Sequence, residues 1–440
     1  MEGTEAPTYS RKTFHVTHFP QFKLSEKRFD RQFASIYLAR LAGLREHVVQ
    51  AARSKWGEHK LVTLSQLVDQ DEKSQCIVVG TLYKHQVLKP SILRELSEEL
   101  QVVVQPHQQN YASLKDSLFL EDESLRVKLV HDNLDLQSLV TGIVCALLGH
   151  ALGNGMFQVL DYCFAGCPLQ LNSNLSNKEE KILFISGLDI TNVAESLSLN
   201  LLSEWITGMI GNNHSQEQGA SVICIIIAGN SLKGSLETHN RKSYFDTKAR
   251  TEVKLKETAI SAHRLDKFLH PIVQTCPVIL MPGEFDPVCH ALPQQSFHPC
   301  ILPCSARFTS LHGATNPWIG KINSRVIAGS SGQPIDDIMK VASLANISPL
   351  KWLEHTLTWR HFAPTAPDTL PAYPYFENDP FIMRDCPDIY FVGNVEKYES
   401  KLIKADEGQT IRLVCIPKFS TSHMGVLVNL HDLNVCPISF

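Results

Sequence analysis

Apolar residues recur at helical spacing early in the chain, where Phe29, Phe33, Ile36, Tyr37, Leu41, Leu44 and Val48 fall on one face. That stripe predicts a long amphipathic helix over about 25–53. From Cys76 the period shortens to that of strands. Residues 76–83 read as a strand, and Pro90-Ser91 opens a short helix to Leu100 that Ser91 can cap. Segments 117–120 and 124–130 flank Glu121-Asp122-Glu123, and 139–148 and 155–164 flank Gly153-Asn154-Gly155. One strand followed by two hairpins predicts a small closed barrel of the OB type.

A polar, Asn/Ser-rich stretch at 168–180 reads as a linker. Beyond it three short apolar runs, 182–185, 222–227 and 278–281, alternate with helical patterns, which is the signature of a parallel α/β sheet. Val193, Leu197, Leu201, Trp205 and Met209 share one helical face with Gly211 as a stop, and a second helix is expected near 251–269. The run 221–230 stands out because its β-branched residues stop abruptly at Gly229-Asn230. It predicts a central strand buried on both faces, and an open α/β sheet places its chemistry at such strand ends. Later apolar pieces at 300–302, 325–328, 389–392, 410–416 and 425–428 predict a second, largely antiparallel sheet packed on the first. Helices near 336–345 and 349–358 and a proline-rich loop at 364–374 intervene.

At 440 residues the chain predicts two domains. A formal charge of -4 gives no general case for a DNA-coating protein, although a local basic face stays open. The beginning of the chain lacks the layout of a signal peptide and no apolar run suits a membrane span, so cytosol or nucleus is expected. Twelve cysteines without a CxxC read as buried free thiols. His298, Cys300 and Cys304 lie near Cys289 and His290, but their spacing fits no standard zinc site.

The strand-end turns resemble those of the calcineurin-like metallophosphoesterases, in which Asp, His and Asn side chains hold two cations that polarise a phosphate and activate water. Here D-x-H is met by Gly187-Leu188-Asp189, and Asn230 stands where the bridging carboxylate belongs. Gly283-Glu284-Phe285-Asp286 carries Phe285 in the place of the catalytic histidine, and the last turn is Gly393-Asn394-Val395-Glu396. His361 alone matches the lone-histidine turn. A neutral amide offers one oxygen where two cations need an anion, so glycines that shape a pocket remain while its ligands do not. The chain also carries C-I-V-V-G-T-L at 76–82, L-K-P-S-I-L-R-E-L-S-E-E at 88–99, L-V-T-G at 139–142, D-Y-C-F-A at 161–165, M-P-G-E-F-D-P at 281–287, L-P-Q-Q at 292–295, H-P-C at 298–300, T-N-P at 315–317, A-P-T-A-P-D-T-L at 363–370 and D-P-F-I at 379–382. With these blocks, an OB barrel paired with an inactivated phosphoesterase domain resembles the B-subunits of the eukaryotic replicative DNA polymerases, and among them the small subunits of DNA polymerase delta.

The resemblance implies an N-terminal OB-type barrel and a C-terminal calcineurin-like phosphoesterase two-sheet α/β sandwich. Its expected divisions are a flexible N-terminus at 1–24, helix and barrel at 25–167, a linker at 168–180 and an inactive phosphoesterase-like domain at 181–440. It implies a nuclear scaffold in DNA replication and repair synthesis, with no cofactor, no metal and no catalytic residue. Gly187, Asp189, Asn230, Glu284, Phe285, Asp286, His361 and Asn394 are then former-site positions. Its implied partners are the C-terminal metal-binding domain of the catalytic subunit of DNA polymerase delta, a third subunit and, through that subunit, the sliding clamp. Weak DNA contact and no membrane are also expected. Two alternatives stay open: a rearranged phosphoesterase using Asp189, Glu284, Asp286, His361 and Glu396, and a single-stranded nucleic-acid binder. The latter would act through the basic stretch 233–256 or through barrel aromatics Tyr83, Phe119, Phe157, Tyr162 and Phe164. Along the chain those aromatics are not interleaved with Lys or Arg and one hairpin turn is acidic, which favours a protein-binding barrel.

Overall fold

The structure is a computed structural model that describes residues 9–25, 29–69, 74–89, 110–131, 134–170, 179–191, 196–232, 248–343, 345, 347–405 and 408–440. The helix expected at 91–100, most of the linker, Val193 and the first part of the basic stretch lie outside the described residues. By contacts the chain forms two units, one of residues 26–168 with 334–385, the other of residues 1–25 with 169–333 and 386–440. Residues 334–385, which the sequence assigns to the C-terminal domain, therefore group with the barrel. Within the segment expected to be a flexible N-terminus, the described residues 9–24 include strand β1 (Val16–His18), paired antiparallel with residues 320–322, and the buried Phe22, so backbone pairing and an apolar anchor hold this part of it.

In the barrel unit, α1 (Ala34–Trp56) buries Ile36, Leu41, Leu44, Val48 and Ala52. Leu41, Leu44, Val48 and Ala52 lie three or four apart, so one stripe meets Ile77, Val79, Val144 and Ala146 of the barrel. The helix stops at Gly57, whose positive φ of 71° suits a residue without a Cβ and whose N–H bonds the Arg53 carbonyl. Phe29 and Phe33 fall outside the helix interior and are exposed. Strand β2 (Lys60–Val62) joins β3 (Cys76–His85) in parallel. Then β4 (Ser117–Glu121), β5 (Arg126–His131), β6 (Val144–Ala151) and β7 (Phe157–Phe164) pair in the order β3-β4-β5-β7-β6. Strand β6 pairs back to β3, so the five strands close, with β5 and β7 the parallel pair. Closure removes the exposed strand edges, as the sequence pattern predicts.

The other unit begins with β8 (Lys181–Ile185), α2 (Leu197–Thr207), α3 (Asn213–Ser221) and β9 (Val222–Ala228). Helix α2 ends at Gly208 in the left-handed conformation, three residues before the expected stop at Gly211. After α4 (Lys248–Thr275) come β10 (Val278–Met281), β11 (Leu311–Gly313), β12 (Trp318–Ile322) and β13 (Arg325–Ser330). Next in the chain come α5 (Gln333–Ala342) and α6 (Pro349–Thr358), which apart from Gln333 belong to the barrel unit, and the sheet unit resumes with β14 (Ile389–Val395), β15 (Glu399–Lys404), β16 (Thr410–Pro417), α7 (Phe419–Ser422), β17 (Met424–Asn429) and β18 (Val435–Ser439). Two six-stranded sheets result, ordered β11-β10-β9-β8-β17-β18 and β1-β12-β13-β14-β16-β15.

Every residue of β9 is buried. Ile223, Cys224, Ile226 and Ala228 meet Ile327, Phe391 and Val414 of the second sheet, while Val222, Ile225 and Ile227 lie under Leu202 of α2 and Leu265 and Leu269 of α4. A register shift between β8 and β9 beside Lys181 puts one extra residue into β9, which accounts for Val222 and Ile225 sharing a face. Burying each such aliphatic side chain contributes roughly 1.5–3 kcal/mol. Three details differ from the sequence pattern. Strand β17 belongs to the first sheet, antiparallel to β8; the second sheet is mixed, since β13, β14 and β16 run parallel; and 299–301 is a 3-10 turn. An isolated apolar run does not encode its neighbour, so pairing was decided by packing.

The barrel unit encloses a fully buried cation. Arg40, on the apolar side of α1, donates Nε to Asp379 at 2.6 Å, Nη1 to Gly142 O at 3.1 Å and to Pro364 O at 2.7 Å, and Nη2 to Ala366 O at 2.6 Å. Asp379 also accepts from the Phe381 N–H at 2.9 Å and pairs with His361 Nε2 at 2.9 Å. His361 Nδ1 accepts the Ala363 N–H, so Nε2 carries the proton of the neutral ring. Burial and then the Arg40 charge push His361 down to about 4, while Arg40 and His361 together hold Asp379 well below the ordinary carboxylate range despite burial. Lys84 makes a second such tie, from β3 to Leu136 O at 2.8 Å and to Ala342 O at 2.6 Å at the C-terminus of α5, where a cation meets the helix dipole.

Arg40→Leu should cost about 3–5 kcal/mol by leaving the Asp379 charge buried without its main partner. Pairing it with Asp379→Asn should restore part of that loss in denaturant titrations. For His361 the folded pKa of about 4 lies below the free value of 6.5, so the unfolded chain takes up a proton first as the pH falls. Stability should therefore drop between those two values, by up to about 1.4 kcal/mol per pH unit, and His361→Gln should flatten that slope in melting curves.

Candidate functional site

The turns after β8, β9, β10 and β13 converge on the irregular end of β14, and backbone hydrogen bonds lace the first two together. Gly187 N–H donates to Gly229 O at 3.0 Å, Asp189 N–H to Asn230 O at 3.2 Å and Ile190 N–H to Ser231 O at 3.0 Å. Asp189, Asn230 and Asn394 all adopt positive φ, at 47°, 51° and 61°, a region that Asn and Asp tolerate better than other side chains. Gly229 has φ of 77°, and a Cβ there would collide with the Ser331 Cβ; a Cβ on Gly283 would collide with the backbone N and side-chain Oδ1 of Asn230. These two glycines let β9 and β10 end against each other.

Asn230, Asn394 and Asp286, buried in this cluster, are engaged with their neighbours, whereas the Ser231 Oγ is buried without a hydrogen-bond partner among the described residues. Asn230, 5% exposed, accepts the Phe285 N–H on Oδ1 at 3.2 Å. Asn394 Nδ2 donates to Ala228 O at 3.1 Å and to Ser331 O at 2.8 Å, and its N–H donates to Ser186 Oγ at 2.8 Å. Its Oδ1 is buried without a hydrogen-bond partner. Asp286 accepts from Gly283 N at 2.8 Å, Leu232 N at 2.9 Å and Ser231 N at 3.3 Å. Burial pushes its carboxyl up to about 6 against the pull of those backbone donors. Its folded pKa thus exceeds the ordinary 3.8, and the stability it contributes is lost as the pH rises through about 6. Asp189 is half-buried and accepts from Ser420 Oγ at 2.6 Å. Glu284 and Phe285 are half-buried on the same turn, and Glu396 is exposed.

His361 is not part of this cluster. It belongs by contacts to the barrel unit and its ring is taken by Asp379. Among the described residues no group of three or more His, Cys, Asp and Glu is placed to hold a metal ion, and His298 Nδ1 accepts the Cys300 N–H.

Sequence reasoning missed a buried amide network behind Gly229. Asn316 Nδ2 reaches Gln294 Oε1 at 2.7 Å, Ser331 Oγ at 2.6 Å and Gln333 Oε1 at 2.9 Å, and Ser331 N–H donates to Asn316 Oδ1 at 2.9 Å. Gln294 Nε2 donates in turn to Gly283 O at 3.1 Å. The signal was present in L-P-Q-Q and T-N-P, two of the quoted blocks, but nothing local pairs a glutamine with an asparagine 22 positions away.

The family model for the B-subunits of DNA polymerases alpha and epsilon matches residues 182–401, and the model for the OB-fold domain of the DNA polymerase delta subunit matches residues 32–162. The chain is 37% identical over 420 residues to "DNA polymerase delta subunit 2" of Drosophila melanogaster, with 95% of each chain covered. It is 38% identical to the "DNA polymerase delta small subunit" of Oryza sativa subsp. japonica, covering 94% of each, and 38% identical to that of Arabidopsis thaliana, covering 96% of this chain and 94% of the relative.

Asn394→Asp should destabilise by about 2–4 kcal/mol, because it replaces two donated hydrogen bonds with a buried anion facing the Ala228 and Ser331 carbonyl oxygens. Asn230→Asp keeps the acceptor for Phe285 and should cost less. Denaturant midpoints of the two variants, measured side by side, check the order.

Proposed function

The chain belongs to the family of DNA polymerase delta small subunits, and from that premise we propose that it is a non-catalytic scaffold built on a degenerate phosphoesterase fold. Membership makes it an accessory, regulatory subunit of the polymerase delta complex and a partner of the catalytic subunit. In the finer reading it bridges the catalytic subunit's C-terminal metal-binding domain and a third subunit, and so reaches the sliding clamp indirectly. It works in the nucleus, in replication and repair synthesis. The OB barrel with its helix and residues 334–385, and the two-sheet sandwich, are read as separate domains, between which the chain passes near residues 25, 168, 333 and 385.

One observation carries the non-catalytic reading: Asn230, at the position of a bridging carboxylate, is a neutral amide whose Oδ1 already accepts the Phe285 N–H. Two cations need an anion between them, and the donor set here does not fit them. Asn394 turns its Nδ2 donors inward, and both oxygens of Asp286 face backbone N–H groups, whose partial positive charge opposes a cation. Gly187 has no side chain to offer, and Phe285 carries no acid or base. The same residues make good struts, since each amide or carboxylate joins one strand end to another. A catalytic alternative through Asp189, Glu284, Asp286, His361 and Glu396 lacks support, because His361 is committed to Asp379 in the other unit.

Purified protein supplied with manganese should hydrolyse no phosphodiester above background. Turnover that vanished in Asp189→Asn or Asp286→Asn would sink the non-catalytic reading. Co-expression with the C-terminal domain of a delta-type catalytic chain should give a complex that survives gel filtration, and failure to co-elute counts against the assembly role.

A further inference from the structure

The outward side of β3, β4 and β5 carries two half-exposed rings, Tyr83 and Phe119, directly opposite each other in register. Their centroids lie 6.2 Å apart, with the ring planes tilted by 55°. The next rung of the ladder sets Lys128 opposite Phe119, and Arg126 opposite Glu121. The Arg126 guanidinium carbon sits 4.1 Å from the centre of the Tyr83 ring while the same group pairs with the Glu121 carboxylate. Lys128 and His85 are exposed on these strands, and inward neighbours Leu82, Leu118, Leu120 and Leu129 are buried in the barrel. The core is therefore filled without these two rings, which stay partly in water beside cations.

We infer that this face binds a short single-stranded nucleic-acid segment, with bases stacking on Tyr83 and Phe119 and phosphates meeting Arg126 and Lys128. An aromatic face accepts any base, and the Arg126 guanidinium already over the Tyr83 ring offers a second surface for stacking. The charge is complementary but small: Arg126 and Lys128 against Glu121 leave one excess positive charge besides His85. Binding is accordingly weak, salt-sensitive and indifferent to sequence. A duplex keeps its bases stacked inside and presents none to the rings, so single strands are preferred. The inference is independent of the scaffold reading, which rests on other residues.

The test is fluorescence anisotropy of the full chain with a labelled oligothymidylate of about 15 nucleotides, a length that spans one barrel, at low and moderate salt. Wild type is expected to bind the single strand better than a duplex of equal length. Tyr83→Ala and Phe119→Ala should each weaken binding roughly 5- to 150-fold, and exposed Lys128→Ala should weaken it and flatten the salt dependence. Melting curves show whether each variant is folded, and Tyr83→Leu, which keeps apolar bulk but no ring, replaces Tyr83→Ala if the latter unfolds. The inference is overturned by no binding at low salt, by wild-type affinity in Lys128→Ala and Tyr83→Leu, or by equal affinity for duplex. Shielding of Lys128 from acetylation by the catalytic chain in the assembled complex would also overturn it, since the face would then be a protein interface.

Discussion

A guanidinium cannot lose its water without gaining partners, and Arg40 sets the terms for the barrel unit. Four hydrogen bonds to Asp379, Gly142, Pro364 and Ala366 compensate its burial. Arg40 stands on α1 and its partners come from the barrel and the segment 364–379, so the charge is satisfied only when all three are assembled. That requirement gives physical content to a unit made of two stretches of chain separated by 165 intervening residues, 169 through 333. The sheet unit has a counterpart. Arg325 joins Asp388 at 2.8 Å and the carbonyls of Leu430 and His431, tying β13 to the turn after β17. In both, a long-range ion pair fixes which segment closes on which, while the aliphatic cores provide most of the driving force.

At the sheet edge, side chains that could have met ligands meet backbone instead. Asn230, Asn394 and Asp286 each span between strand ends, and the network of Gln294, Asn316, Ser331 and Gln333 supports them from behind. An amide is suited to this because it donates and accepts at once, whereas a carboxylate needs every neighbour to be a donor. Asp286 meets that condition through three N–H groups, yet burial still raises its pKa. The positive φ values of Asp189, Asn230 and Asn394 allow the sharp bends that bring these strand ends together.

The barrel face shows how far a linear reading can mislead. Tyr83, Phe119, Arg126 and Lys128 are scattered over three strands, and along the chain no cation alternates with a ring. Antiparallel register puts them side by side. The acidic turn that argues against phosphate is partly neutralised, since Glu123 pairs with Arg45, while Asp122 stays an anion held by the N–H groups of Ser124 and Leu125.

The sequence by itself determined the elements whose signal is local. It marked the α1 stripe, the five barrel strands, the parallel α/β alternation and the run ending at Asn230, because periodicity of 2 or 3.6 is written in adjacent residues. It also identified the strand-end residues that cluster, apart from His361, since those turns follow directly from strands. What only the tertiary structure decided involves partners far apart in sequence. It set the pairing of β1 with β12 and of β17 with β8, the membership of 334–385, the burial of Arg40 on a face read as apolar, and the engagement of His361 with Asp379. An arginine looks the same in the chain whether it ends in water or in a core. Its environment is a property of the closed structure, fixed by which distant carbonyls and carboxylates arrive around it.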